Sequence, residues 1–216
     1  MSEADAVTEA PARRGRPGYD REQMLHAAVA LFNEQGYDAT SVAALAARLG
    51  LSKAALYHHF SSKEEVLEVA VGAALDGLEG VLADATETSA GDRLAEVLRG
   101  AVGVLVAQLP AVTLLLRVRG NSEVERRALE RRRAFDQAVT EIVRAAQADG
   151  AVRADVDASV ATRLLFGMVN SLVEWYRPGG PEDAEALARD VLTVALDGLR
   201  TRQPSDAADR NDEATA

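Results

Sequence analysis

Residues 40–63 read TSVAALAARLGLSKAALYHHFSSK, and this stretch decides the fold. Thr40 or Ser41 is placed to cap a short helix with Val42, Leu45, Ala46 and Leu49 along one side. Gly50 stops that helix where the turn requires positive φ. Ser52 then caps a second short helix, from Lys53 to about His59. Two short helices joined by a tight glycine turn form a helix-turn-helix arrangement. Ala46 is small enough for the next helix to approach, and Leu45, Leu49, Leu51 and Leu56 supply the wedge between them. Lys53, Ala54, Tyr57 and His58 then face outward. In this motif the second helix enters the major groove and its N-terminal residues meet base edges. By spacing alone, an ordinary three-helix cluster reads the same way.

The preceding helix is well punctuated. Asp20 is an N-cap, Gln23 can complete a capping box, and Tyr19 with Met24 is placed as a hydrophobic staple. Met24, Leu25, Ala28, Leu31 and Phe32 share one face. Gly36 ends the helix, and Tyr37 is predicted to fold back in a Schellman motif. Downstream, Ser62 and Glu65 form a capping box that opens a fourth helix, apolar at Val66, Leu67, Ala70, Val71, Ala74, Leu75 and Leu78. Upstream, Arg13-Arg14-Gly15-Arg16-Pro17 contains Arg-Gly-Arg-Pro, the core of an AT-hook peptide. Extended arginines of this kind suit a narrow A·T minor groove. A basic linker with no fixed partner is the plainer reading.

The 216 residues carry a formal charge of −10, which at first argues against a phosphate-binding protein. The charge is segmental. Residues 1–10 carry −3, residues 11–63 carry seven bases against four acids, and residues 64–216 carry −10. A mildly basic segment therefore precedes an acidic body. There is no cysteine, and His26, His58 and His59 are the only histidines. Disulfides, thiolate metal sites and a cysteine nucleophile are excluded. Adjacent helical residues point about 100° apart, so His58 and His59 do not readily chelate one ion. No histidine lies beyond residue 63, and no phosphate loop or nucleophile elbow is found, so no catalytic residue, metal or cofactor is expected. The N-terminus lacks the apolar core of a signal peptide, and a cytoplasmic location is expected with no membrane partner.

Everything ordered reads as helix, without hairpin signals, so the fold class is all-α with about nine helices. Further helices are predicted near 90–107, 110–119, 122–148, 156–176 and 182–202. The long one carries Glu123, Arg126, Arg127, Arg131, Arg132 and Arg133. A solvated charged face explains this run, but with Arg117 and Arg119 it also suits an anionic ligand. The last two helices are apolar over most of their circumference, which demands burial nearly all round. A partner subunit is the natural cover, with an intramolecular core the alternative.

Residues 20–67 resemble the DNA-binding domain of the TetR family of bacterial repressors. The resemblance rests on ALFNEQGYDATSV, the Ala-Ala-Arg-Leu-Gly-Leu-Ser-Lys turn and the Leu-Tyr-His-His-Phe-Ser-Ser-Lys-Glu-Glu run. It implies a flexible arm over 1–18, a reader over 19–66, a ligand-binding and dimerisation domain over 67–202 and a disordered tail over 203–216. Thr40, Ser41, Tyr57 and Lys63 are then phosphate contacts, with Lys53 near the groove. Ala54, Ala55, His58 and His59 lie where bases are read or the groove wall is met, and Arg14 and Arg16 belong to the arm. The last two helices would pair two subunits as a four-helix bundle through Leu164, Leu165, Met168, Leu172, Leu187, Val191, Leu192, Ala195 and Leu199. The implied ligand residues are Arg117, Arg119, Asn121, Arg131, Phe135, Phe166, Asn170 and Trp175. The break at residues 175–181, WYRPGGP, resembles regulators that sense acyl-CoA thioesters. The implied partners are an operator duplex, a second copy of the chain and a small-molecule effector, with an acyl-CoA as the first candidate. An architectural DNA binder without ligand, a sensor of uncharged hydrophobes and a helical interaction module are the competing readings.

Overall fold

The computed structural model describes residues 20–199, and of Leu199 the backbone alone. Among these residues the chain forms nine helices and no strand: α1 Arg21–Gln35, α2 Val42–Leu49, α3 Lys53–His59, α4 Lys63–Asp84, α5 Ala90–Ala107, α6 Leu109–Arg117, α7 Glu123–Ala148, α8 Ala158–Trp175 and α9 Ala184–Leu199. Their starts follow local chemistry. The side chains of Asp20, Ser41, Ser52, Ser62, Ser89, Ser122 and Asp157 each accept a backbone N–H of the following first turn. Of the two candidates for α2, Ser41 is the cap.

The turn expected at Gly36 forms elsewhere. Gly36 has φ 87° and ψ 142°, outside the left-handed helical region, so it sends the chain away from α1 in an extended path. Tyr37 still returns to the helix through its ring, edge-on to Phe32 at 5.1 Å between centroids. The Schellman geometry falls at Gly50, with φ 64° and ψ 31°. There the Leu51 N–H donates to Ala46 O at 2.9 Å and the Gly50 N–H to Ala47 O at 3.1 Å.

The helices form a reader, α1 to α3, set on a body, α4 to α9. Helix α1 packs on α2, α4 and α6, while α3 is seated on α2. Met24, Leu31, Phe32, Leu45, Leu49, Leu56 and Phe60 fill the reader core, and Leu51 is half-buried against it. The division implied at 66/67 falls inside α4, so one continuous helix belongs to both parts. In the body, α5 is the central helix, with Leu94, Val97, Leu98, Ala101, Val102 and Leu105 buried under α4, α7, α8 and α9.

Most of the residues expected at a subunit interface belong to this core. Leu165 and Leu172 of α8 are buried within one chain against α5 and α7, and Leu187, Val191, Leu192 and Ala195 of α9 are buried where α9 lies along α5. Met168 is half-buried, and Leu164 is the one expected interface residue that stands out, at 66% exposure. Val160 and Trp175, on the apolar face of α8, are also exposed, as is Val194 on α9. The side chain of Leu199, the arm with Arg14 and Arg16, the staple residue Tyr19 and the tail lie outside the described residues.

The α4–α5 crossing depends on a missing side chain. A Cβ at Gly100 would stand 2.6 Å from Val81 Cγ1, whereas one at Gly103 would meet nothing within 4 Å. Both glycines are helical and otherwise disfavoured relative to alanine. Gly103→Ala is expected to stabilise by about 0.5–1 kcal/mol, and Gly100→Ala to destabilise by about 1–3 kcal/mol through overpacking. Chemical denaturation of the pair checks this, and equal shifts would refute the close crossing.

Candidate nucleic-acid interface

The α3 helix has two unlike sides. Leu56 is buried in the wedge, while Lys53, Ala54, Tyr57 and His58 are exposed and Ala55 and His59 are half-buried. The Ser52 hydroxyl accepts the Ala55 N–H at 3.1 Å, which fixes the start of the helix. Tyr57 is half exposed, a large aromatic left in solvent on a helix of seven residues. The His58 and His59 rings meet edge to face at 5.4 Å. No group of three or more potential metal ligands occurs among the described residues.

The flanking phosphate candidates divide. Ser41 is exposed, and its hydroxyl oxygen accepts the Ala44 N–H at 3.1 Å. Thr40 is a correction. It is 1% exposed, and its hydroxyl donates to Gly36 O at 2.7 Å, so its side chain closes the loop after α1 and does not reach a phosphate. Lys63 is half-buried: its Nζ donates to Tyr37 O at 2.9 Å and stands 4.1 Å above the Tyr37 ring. The ammonium is thus held beside the reader by a cation–π contact and one hydrogen bond.

One clamp behind α3 was not anticipated. The Ser62–Glu65 capping box forms only its first half, with the Ser62 hydroxyl accepting the Glu65 N–H at 3.0 Å. The Glu65 carboxylate reaches one residue further, to the Ser61 N–H at 2.6 Å and the Ser61 hydroxyl at 2.7 Å. Arg21 of α1 donates to the same carboxylate at 3.2 Å and lies 4.7 Å over the Phe60 ring. Glu65 therefore ties α1, the end of α3 and the start of α4 together. The pattern Ser-x-x-Glu signalled a cap, but nothing local signals the third partner, 44 residues away.

Among the described residues, the expected ligand residues fall in several places. Arg131 on α7 donates to Asp76 at 2.6 Å and to Glu79 at 2.7 and 2.8 Å, both on α4. These two carboxylates hold the guanidinium charged and raise its pKa further. Arg127 likewise bonds Glu68 at 2.8 Å, and Arg126 bonds Glu123 at 2.7 Å. Much of the arginine run is therefore an α4–α7 surface ladder. Phe135 and Phe166 meet as a T-shaped pair at 5.2 Å in the body core, and Asn170 is half-buried one turn further along α8. Trp175 is 49% exposed at the end of α8. Arg117, Arg119 and Asn121 do come together, at the junction with the reader, where they line a cavity of about 270 Å³ with Tyr37 and Glu125. Glu125 is 3% exposed and accepts the N–H groups of Arg119, Gly120 and Asn121 at 3.0, 2.7 and 2.8 Å. Burial there, with Glu64, Glu125 and Asp38 nearby, pushes the Tyr37 phenol up from its ordinary range.

A seated three-helix reader on a helical body defines a helix-turn-helix regulator. Residues 24–70 match the family model of tetR-family bacterial regulatory proteins, and residues 87–199 match that of the tetracyclin repressor-like C-terminal domain. The chain belongs to the TetR family and is a transcriptional regulator, not an enzyme. It is 31% identical to the HTH-type transcriptional repressor KstR2 of Rhodococcus jostii over 83% of this chain and 90% of that one. It is 49% identical to a TetR-family regulator of known structure from Streptomyces coelicolor, with a TM-score of 0.78 over 82% of this chain and 91% of that one. AibR, solved in complex with isovaleryl coenzyme A and operator DNA, shares the fold at 24% identity and a TM-score of 0.69, over 81% of this chain and 96% of its own. No single helix among the described residues is long and apolar enough to cross a membrane.

The Glu65 clamp has a pH signature. Its carboxylate is held below the ordinary 4.5, first by the Ser61 hydroxyl, then by the Ser61 amide and Arg21. The unfolded chain therefore takes up the proton more readily. The clamp stabilises fully above the unfolded value and is lost as pH falls through the folded one. The melting temperature of wild type should exceed that of Glu65→Gln most clearly near pH ~7, and the two should converge as pH falls through the lowered folded value. A constant gap across thermal melts at several pH values would rule the clamp out.

Proposed function

We propose that the chain is a dimeric, effector-released repressor that reads a palindromic operator. The observation that carries this reading is the outward side of α3: Lys53, Ala54, Tyr57 and His58 stand free on a helix locked from behind by Leu56. Ala54 and Ala55 allow close approach to the groove floor, and alanine can touch a thymine methyl. Lys53, Ser41 and Tyr57, with Lys63 beside Tyr37, are positioned to meet phosphates, which set register without reading sequence.

The exposed residues Val160, Leu164 and Trp175 on α8 and Val194 on α9 support a second copy as the partner. Val160, Leu164 and Trp175 recur at helical spacing on α8, the helix end nearest the α8–α9 break included. A two-fold dimer repeats one α3 per half-site, with half-sites about 34–36 Å apart. The effector binds in the body and weakens operator affinity by the same factor that the operator weakens its own. An acyl-CoA is the first candidate, supported by the WYRPGGP break and by the isovaleryl-CoA complex of AibR. The arginine ladder adds no support, because Arg127 and Arg131 are already matched by carboxylates.

Binding-site selection from random duplexes tests the reading directly: a palindromic consensus supports it, and broad A·T-rich enrichment without symmetry would favour an architectural binder. Lys53→Ala should weaken all sequences alike and make the salt slope shallower by about two units per dimer, one per subunit. Leu164→Asp with Val194→Asp should give monomers by sedimentation and lower operator affinity on the order of 100-fold. A variant that stays dimeric would move the interface elsewhere. Acyl-CoAs should release the selected duplex in fluorescence anisotropy, and release by uncharged hydrophobes alone would exclude the thioester class.

A further inference from the structure

Arginine supplies almost all of the positive charge in this chain. Of the 24 basic side chains 22 are arginines, and Lys53 and Lys63 are the only lysines in 216 residues. The difference is chemical. A guanidinium stays protonated in proteins, so it is no nucleophile, whereas an amine becomes one whenever it gives up its proton. Side-chain chemistry that transfers a group to an amine is therefore confined to two positions, one at the start of α3 and one at the start of α4. No cysteine competes for an electrophile.

The two lysines differ in what they hold. Lys63 is half-buried, its Nζ donates to Tyr37 O at 2.9 Å, and the same atom stands 4.1 Å above the Tyr37 ring. To attack an electrophile it must leave both contacts. Lys53 is exposed, and its side chain makes no hydrogen bond or ion pair among the described residues. The sequence accounts for that freedom, because residues 39–63 contain no aspartate or glutamate. By contrast Arg21, Arg48, Arg127 and Arg131 each have a carboxylate within 3.2 Å. The sequence neighbours of Lys53, namely Ser52, Ala54 and Ala55, are small and leave the approach to the amine open.

We propose that Lys53 is an acylation site, with an acyl-CoA thioester as the donor. The deprotonated Nζ attacks the thioester carbonyl carbon. A C–N bond forms, the C–S bond breaks, coenzyme A leaves as its thiol, and the proton released by the ammonium passes to water. Nothing is oxidised or reduced. The product is an uncharged amide in place of a cation. The charge removed is the one that the reading helix presents without a counterion. Acylation thus acts on the reader itself and outlasts the donor, unlike reversible binding of an effector in the body. That consequence for DNA rests on the repressor reading, whereas the assignment of the site does not.

The experiment first uses the full chain without DNA. The protein is incubated with acetyl-CoA, and acetate plus free coenzyme A serves as the control that lacks the thioester. Peptide mass spectrometry follows each lysine over time. Lys53 should be acetylated at least about tenfold faster than Lys63, which must first give up a hydrogen bond and a cation–π contact. The control should modify neither. The treated protein is then dialysed and titrated with a duplex at low salt in fluorescence anisotropy. Its affinity should stay lowered, with a salt slope shallower by about one unit per subunit. Lys53→Arg keeps the charge and has no amine, so after the same treatment it should bind as it did before. Acetylation of Lys63 at an equal or faster rate, no acetylation of either lysine, or an equal loss of affinity in treated Lys53→Arg overturns the proposal. A chain that binds no duplex before treatment sinks the repressor reading and leaves the mass map to decide the site, so the two fail separately.

Discussion

The reader is held on the body through Asn33, in the last turn of α1. Its side-chain amide donates to Pro110 O at 2.9 Å, and its own carbonyl accepts Arg117 at 2.7 Å. Pro110 opens α6 and Arg117 ends it, so one residue of the reader is gripped from both ends of one helix of the body. Helix α6 lies there because the chain cannot run straight from α5. Pro110 lacks the N–H that would continue the helix and clashes with the preceding turn. The result is a 101° bend between α5 and α6. A proline at that one position therefore sets the direction of the helix that carries the reader.

This arrangement makes the α5–α6 elbow the natural place for coupling. A displacement of α6 carries Asn33 with it, and hence α1, whose other contacts are α2 and α4. The same elbow feeds the α6–α7 connection, where Glu125 folds the turn and Asn121 reaches Asp38. The three amides that Glu125 accepts are part-buried, and a buried N–H left without a partner costs about 1–3 kcal/mol. The turn between α6 and α7 therefore has few ways to deform without leaving backbone donors unpaired.

How much of this was legible in the sequence depends on the range of the interactions involved. Caps such as Asp20, Ser41, Ser52 and Ser62 act within three residues, so helix starts could be read from composition and spacing. The αL turn at Gly50 was legible for the same reason, whereas the turn at Gly36 was misread, because ψ there is set by where Tyr37 packs. The intramolecular partner of α9 was not legible for a further reason. Periodicity identifies an apolar face but not its partner, and α5 took the face that had been assigned to a second subunit. Likewise the arginines of α7 were visible as charges, but their carboxylate partners on α4 lie 52 to 59 residues away. The ligand set scattered because it was assembled from residue types whose neighbours were unknown.

The net charge of −10 takes on a structural meaning through those partners. The strongest block of positive charge in the chain, on α7, is matched across a surface by Glu68, Asp76 and Glu79 of α4. Exposed pairs of this sort contribute little stability one by one, about 0–1 kcal/mol each. Their larger effect is on the field: they cancel the body's densest patch of guanidiniums, which would otherwise compete for phosphates. Arg48 and Arg21 in the reader are matched in the same way, by Glu34 and Glu65. Lys53 is left exposed at the start of α3, without an ion pair among the described residues. On an otherwise acidic protein, this lysine on the reading helix is free to meet a duplex.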